Sequence, residues 1–138
     1  MNYIYLKFEK MDKLKIGIEG FLEKTVLSCD SAKAYGSGLV DVFSTPAMIA
    51  FMENTAQQSV QEYLSEGFTT VGTEVNIKHL KATPINARVN CKSKLVNIDG
   101  KKLLFEVQAF DEEGMIGSGF HTRFVINMDK FMKNIQTK

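Results

Sequence analysis

Thr45, Glu53 and His79 are the side chains here whose types suit nucleophilic or acid–base work. Glu53 lies between Met52 and Asn54 in "FSTPAMIAFMENTAQQSVQEYL", the most apolar helical stretch of the sequence. A carboxylate buried without partners is costly and tends to take up a proton. In a working role it can activate water, orient and charge-stabilise an imidazole, or attack a carbonyl itself; the residues alone leave these open. The plainer alternative is a glutamate at a dimer rim, or one satisfied by a structural hydrogen bond.

His79 falls on one strand face with Val75 and Ile77, opposite Glu74, Asn76 and Lys78. It therefore points with the apolar face, toward the helix that carries Glu53, unless it is an ordinary core histidine. Thr45 offers a hydroxyl that becomes a nucleophile if His79 serves as its base, although capping the helix would explain it equally well. Ser44 is the backup hydroxyl. Thr45 and Glu53 are eight positions apart, roughly 12 Å along a helix axis. They cannot meet within one helix. Either His79 bridges them or the site combines residues from two subunits, and the second is expected.

The elements that must position these groups follow from local pattern. Thr45-Pro46 predicts a helix start, with the hydroxyl at the N-cap and proline first inside. The helix is expected to reach about Ser65, with Gly67 as the stop. Its first half, with Ala47, Ile49, Ala50, Phe51 and Met52, is apolar nearly all round, while Gln57, Gln58, Gln61 and Glu62 polarise the second. Such a helix is expected to be buried on every side. A sheet covers only one side, so a second subunit is predicted on the other.

"EKTVLSCD" before the helix reads as a strand, and "AKAYGSGLVDVF" as a loop marked by Gly36 and Gly38. After the helix, "TTVGTEVNIKHLKA", "ARVNCKSKLVNI", "KKLLFEVQAFD" and "MIGSGFHTRFVINM" are strand-like, the last three joined by the turns "NIDGKK" and "DEEGM". A short helix from Asp129 to about Ile135 closes the chain. One strand, one long helix and an antiparallel meander predict an α+β fold with the sheet wrapped around a single central helix.

Composition excludes several classes. The chain is 44% apolar and 24% charged, with a net charge of +1, so it carries no basic footprint for nucleic acid or an anionic membrane. No apolar run approaches the roughly 20 residues of a membrane span. The start lacks a basic region followed by an apolar core, so a cytoplasmic location is expected. Cys29 and Cys91 sit in apolar-patterned segments and are expected to be reduced and buried; with two histidines they match no zinc spacing, and no metal is expected. Residues 1–10, "MNYIYLKFEK", read as an added strand, an upstream start or a poorly ordered arm.

"YGSGLVDVFSTPAMIAFMENTA", "TTVGTEVNIKHLKATP" and "IGSGFHTRFVINMDKF" resemble the hotdog-fold thioesterases of the fluoroacetyl-coenzyme A thioesterase type. The similarity covers roughly residues 16–138, leaving 1–15 as an N-terminal arm before a single domain. "VGT…VNIKHLKATP" is its most specific part. The resemblance implies a hotdog fold, a homodimer or higher oligomer, and hydrolysis of a small acyl-CoA thioester, with coenzyme A part of the substrate and no separate cofactor. It also implies a catalytic set of Thr45, Glu53 and His79. Phe43, Ser44, Gly72, Gly119, His121 and Arg123 are the expected substrate-binding positions. "GSGFH" permits close backbone approach to a ligand or marks a bulge. Free N–H groups at Thr45–Ala47 are a candidate oxyanion hole; Pro46 removes one of those donors, so a strand such as Val71–Thr73 is expected to supply another. Lys78, Lys81 and Arg88 are either solvated surface cations or contacts for the phosphates of coenzyme A. A hydratase or dehydratase acting on acyl thioesters, and a non-catalytic acyl-CoA sensor, are the alternatives.

Overall fold

The computed structural model describes residues 12–136; the leading arm, 1–10, lies outside them. The element order is β1 (Glu19–Thr25), a 3₁₀ turn (Ser28–Asp30), α1 (Ala32–Tyr35), α2 (Thr45–Gln61), β2 (Phe68–His79), β3 (Arg88–Asp99), β4 (Lys102–Asp111), β5 (Gly114–Asn127) and α3 (Met128–Gln136). The strands form one antiparallel sheet in the order β1-β3-β4-β5-β2. The α+β expectation is met, with α2 lying across the concave face.

The period of two in β3 and β4 makes that face. Val89, Cys91, Ser93 and Leu95 alternate inward from β3, and Leu103, Phe105, Val107 and Ala109 from β4. Against them α2 sets Met48, Met52, Ala56 and Val60, spaced by four and all fully buried. Each large side chain so buried contributes about 1.5–3 kcal/mol, which fixes the helix on the sheet far more firmly than its propensity could. Pro46 and Ala47 follow Thr45 into the first turn. The far side of α2 stays open in the protomer: Ile49 and Glu53 are half-buried, and Ala50 and Asn54 exposed. The helix is therefore not buried all round within one chain.

Several boundaries move from their predicted places. The first strand is Glu19–Thr25 rather than Glu23–Asp30, because the Asp30 carboxylate accepts the Leu27 N–H at 2.8 Å and turns the chain. The long helix ends at Gln61, and Gly67 instead turns the chain into β2 with a φ of 86°. The helix cap is Ser44, not Thr45: its Oγ accepts the Ala47 N–H at 3.2 Å. Cys91 is buried, but Cys29 is exposed, since the 3₁₀ turn lifts it off the core.

This division of labour has a measurable consequence. Ser44→Ala is expected to lower stability by about 1 kcal/mol, the usual worth of a cap, whereas Thr45→Ala leaves the melting temperature near wild type. Denaturant unfolding of both variants checks it.

Candidate active site

Because Ser44 takes the cap, the Thr45 hydroxyl has no backbone duty. Its Oγ1 lies 2.8 Å from Nδ1 of His79, thirty-four residues away in sequence at the end of β2. Two backbone bonds hold the approach to Thr45: the Phe43 N–H donates to the Thr83 carbonyl at 2.8 Å, and the Ser44 N–H to the Asp30 carbonyl at 2.9 Å. On the other side, the Leu80 N–H donates to the Ile116 carbonyl at 2.7 Å, fixing the chain just past His79. Burial lowers the His79 pKa from its ordinary 6.5, opposed by the nearby Lys81 backbone. The ring Nε2 is buried and meets no partner at hydrogen-bonding geometry. A neutral imidazole beside a free hydroxyl is a base–nucleophile arrangement.

The pair opens on a cleft of about 330 Å³, walled also by Ser37, Val42, Leu80 and Ala82. Phe43 reaches this wall but is fully buried in the core, with the Lys24 ammonium 5.8 Å from its ring centroid. The helix N-terminus loses a further donor to the cap. Pro46 has no N–H, and that of Ala47 is taken by Ser44.

Glu53 belongs to a second cluster. Its charge favours the protonated forms of His121 and Arg123. Those two share the inner face of β5 and are 1% and 7% exposed. Arg123 is held by Nε to Thr70 Oγ1 at 2.7 Å and by Nη2 to the Thr70 carbonyl at 2.8 Å. Its Nη1 donates to His121 Nε2 at 3.1 Å, while His121 Nδ1 donates to the Glu74 carbonyl at 2.8 Å. A carbonyl can only accept and a guanidinium only donate, so these contacts require a neutral His121 protonated at Nδ1. Burial lowers the His121 pKa first, and the Arg123 charge adds to this. Burial likewise lowers that of Arg123.

Gly72 faces this cluster. A Cβ there would come 3.1 Å from His121 Cε1 and 3.4 Å from Arg123 Nη1. A register shift between Gly72 and Glu74 puts Gly72 on the same inner face as Val75, Ile77 and His79. Val75 shares that face yet is 42% exposed, because β2 is an edge strand. Gly119 lies opposite Ile77 with a φ of 159°, and a Cβ there would collide with the Asn76 carbonyl, so close strand approach accounts for it.

The site residues thus separate into Thr45–His79 with Ser44 and Phe43 behind, and Glu53 with His121, Arg123 and Gly72. Thr70, which anchors Arg123, carried no signal in the sequence. Lys81 and Arg88 are engaged in ion pairs, with Asp111 and Glu113 and with Glu23 respectively, while Lys78 is exposed. Among the described residues no group of His, Cys, Asp and Glu is arranged to hold a metal, and no helix is long and apolar enough to cross a membrane.

The profile of the fluoroacetyl-CoA-specific thioesterases matches residues 26–129, most of the chain. The chain belongs to that family. It is 34% identical over 98 residues, 71% of this chain and 70% of the relative, to the fluoroacetyl-CoA thioesterase of Streptantibioticus cattleyicolor. A solved structure of the fluoroacetyl-CoA thioesterase FlK superposes with a TM-score of 0.86 at 28% identity, covering 92% of this chain and 98% of the other. A hot-dog-like protein from Thermanaerovibrio acidaminovorans shares the fold, with a TM-score of 0.83 at 22% identity over 94% and 95% of the two chains. This member of the fluoroacetyl-CoA-specific thioesterase family is a hotdog-fold thioester hydrolase acting on acyl-CoA. Family membership favours hydrolysis over the hydratase and sensor readings.

The lowered histidines set the family member's acid stability. Below pH 6.5 the unfolded chain takes up protons that the native rings refuse, so stability is full above that value and lost as pH falls. The melting temperature is expected to decline between about pH 7 and about pH 5, and His121→Gln to reduce that slope. Thermal melts across the range check both.

Proposed function

We propose that the enzyme hydrolyses a small acyl-CoA thioester at a composite site between two copies of the chain. Thr45 and His79 come from one copy and Glu53 from the other. The observation that carries this is the 2.8 Å contact between Thr45 Oγ1 and His79 Nδ1. The Thr45 oxygen attacks the thioester carbonyl carbon as its proton passes to Nδ1. The C–S bond breaks, and the imidazolium protonates the departing sulfur. His79 then takes a proton from water as the water oxygen attacks the acyl-threonine ester; the ester C–O bond breaks, the imidazolium returns that proton to Thr45 Oγ1, and the carboxylic acid leaves.

Two features support a second copy. Within one chain Glu53 stands about 12 Å along the axis from Thr45, too far to touch it. The uncovered side of α2, carrying Ile49, Ala50 and Glu53, is where the second copy would lie. The Streptantibioticus cattleyicolor relative is named for fluoroacetyl-CoA, whose acyl group has two carbons, and this supports a small acyl substrate here. Coenzyme A enters as part of that substrate, and the side chains together with water account for the chemistry.

His79→Ala and Thr45→Ala are each expected to lower kcat/KM by about 100-fold or more in a thiol-release assay with short acyl-CoAs. Full activity in both would overturn the assignment. The composite site has its own test in subunit mixing. A Thr45→Ala copy paired with a Glu53→Ala copy retains one intact site, so a random mixture of the inactive homodimers is expected to recover about a quarter of wild-type activity. No recovery, in mixtures shown to exchange subunits, would place all three residues in one chain.

A further inference from the structure

We infer that Asp111 is a positioning residue for the Thr45–His79 pair, an inference that rests on reading this pair as the reacting centre. Asp111 ends β4 and its side chain is 7% exposed. Its Oδ2 accepts the Thr83 hydroxyl at 2.9 Å, and Oδ1 accepts Lys81 Nζ at 3.3 Å and the Glu113 N–H at 2.9 Å. The Glu113 bond is the ordinary local turn of an aspartate before a hairpin loop, and it occupies Oδ1 alone. Oδ2 does something else: it fastens a segment from a different part of the chain.

That segment, 81–84, ties together both halves of the pair. Lys81 follows His79 by two residues, and its backbone lies against the imidazole. Thr83 is fully buried, and its carbonyl receives the Phe43 N–H at 2.8 Å, two residues before Thr45. Val42 and Pro84 form a further bridge. Asp111 therefore holds a stretch of chain that contacts the histidine on one side and the approach to the threonine on the other. Loosening it changes the distance between nucleophile and base without touching either. A shift of about 1 Å at such a distance can cost up to about 100-fold in rate.

The test compares Asp111→Ala, Asp111→Asn and His79→Ala, assayed for kcat and KM well below each melting temperature. Asparagine fills the same space and can still bond Thr83 and the Glu113 N–H. Asp111→Ala is expected to lower kcat by about ten-fold with KM within about two-fold, and Asp111→Asn to restore most of the loss. Wild-type kcat in Asp111→Ala, or no rescue by asparagine, overturns the inference while an inactive His79→Ala keeps the reacting pair intact. An active His79→Ala instead overturns the reading on which it rests. Should Asp111→Ala not fold, Thr83→Val removes the same bond at nearly the same volume. It is expected to lower kcat several-fold at unchanged KM, and wild-type kcat there would equally sink the idea.

Discussion

Burial of one stripe of α2 against the inner face of the sheet is the constraint from which the rest follows. Met48, Met52, Ala56 and Val60 seat the helix on β3 and β4, and this fixes both its axis and its rotation. Once the rotation is set, Thr45 begins the helix against His79 of β2, and Glu53 lies half-buried on the helix flank. The hydrophobic contact is non-directional, yet close packing turns it into a precise orientation of polar groups it never touches.

Polar chemistry at the helix start and along its flank is then supported by the neighbouring strands and loops. Near Thr45, Ser44 and the Asp30 and Thr83 carbonyls hold the backbone. Near Glu53, a buried guanidinium is made tolerable by Thr70, by His121 as acceptor and by the nearby carboxylate charge. The two clusters use opposite devices. One leaves a hydroxyl and an imidazole free to exchange a proton; the other fixes every donor and acceptor of His121 in a single tautomer.

Much of the fold was legible because its signals are periodic. The meander from β3 to β5 was predicted within a residue or two of its observed bounds, since alternation and Gly-containing hairpin loops are local and strong. The first strand was misplaced because "TVLSCD" is apolar enough for a strand, while the Asp30 side chain bends it. Thr-Pro satisfies the capping preference at Thr45, but the neighbouring serine satisfies it as well, and only the backbone trace decides between adjacent hydroxyls.

The sequence by itself determined the fold class, the family, and the face on which His79, His121 and Arg123 lie, because these depend on residue type and on a period of two. Tertiary structure decided which groups meet. It brought Thr45 to His79, set the charge of Glu53 where His121 and Arg123 feel it, placed Gly72 on the inner face through a register shift, and drew Asp111 onto Thr83. Periodicity reports the direction in which a side chain points. A contact between residues far apart in the chain depends in addition on how whole elements are rotated and offset by packing, and no local pattern encodes that.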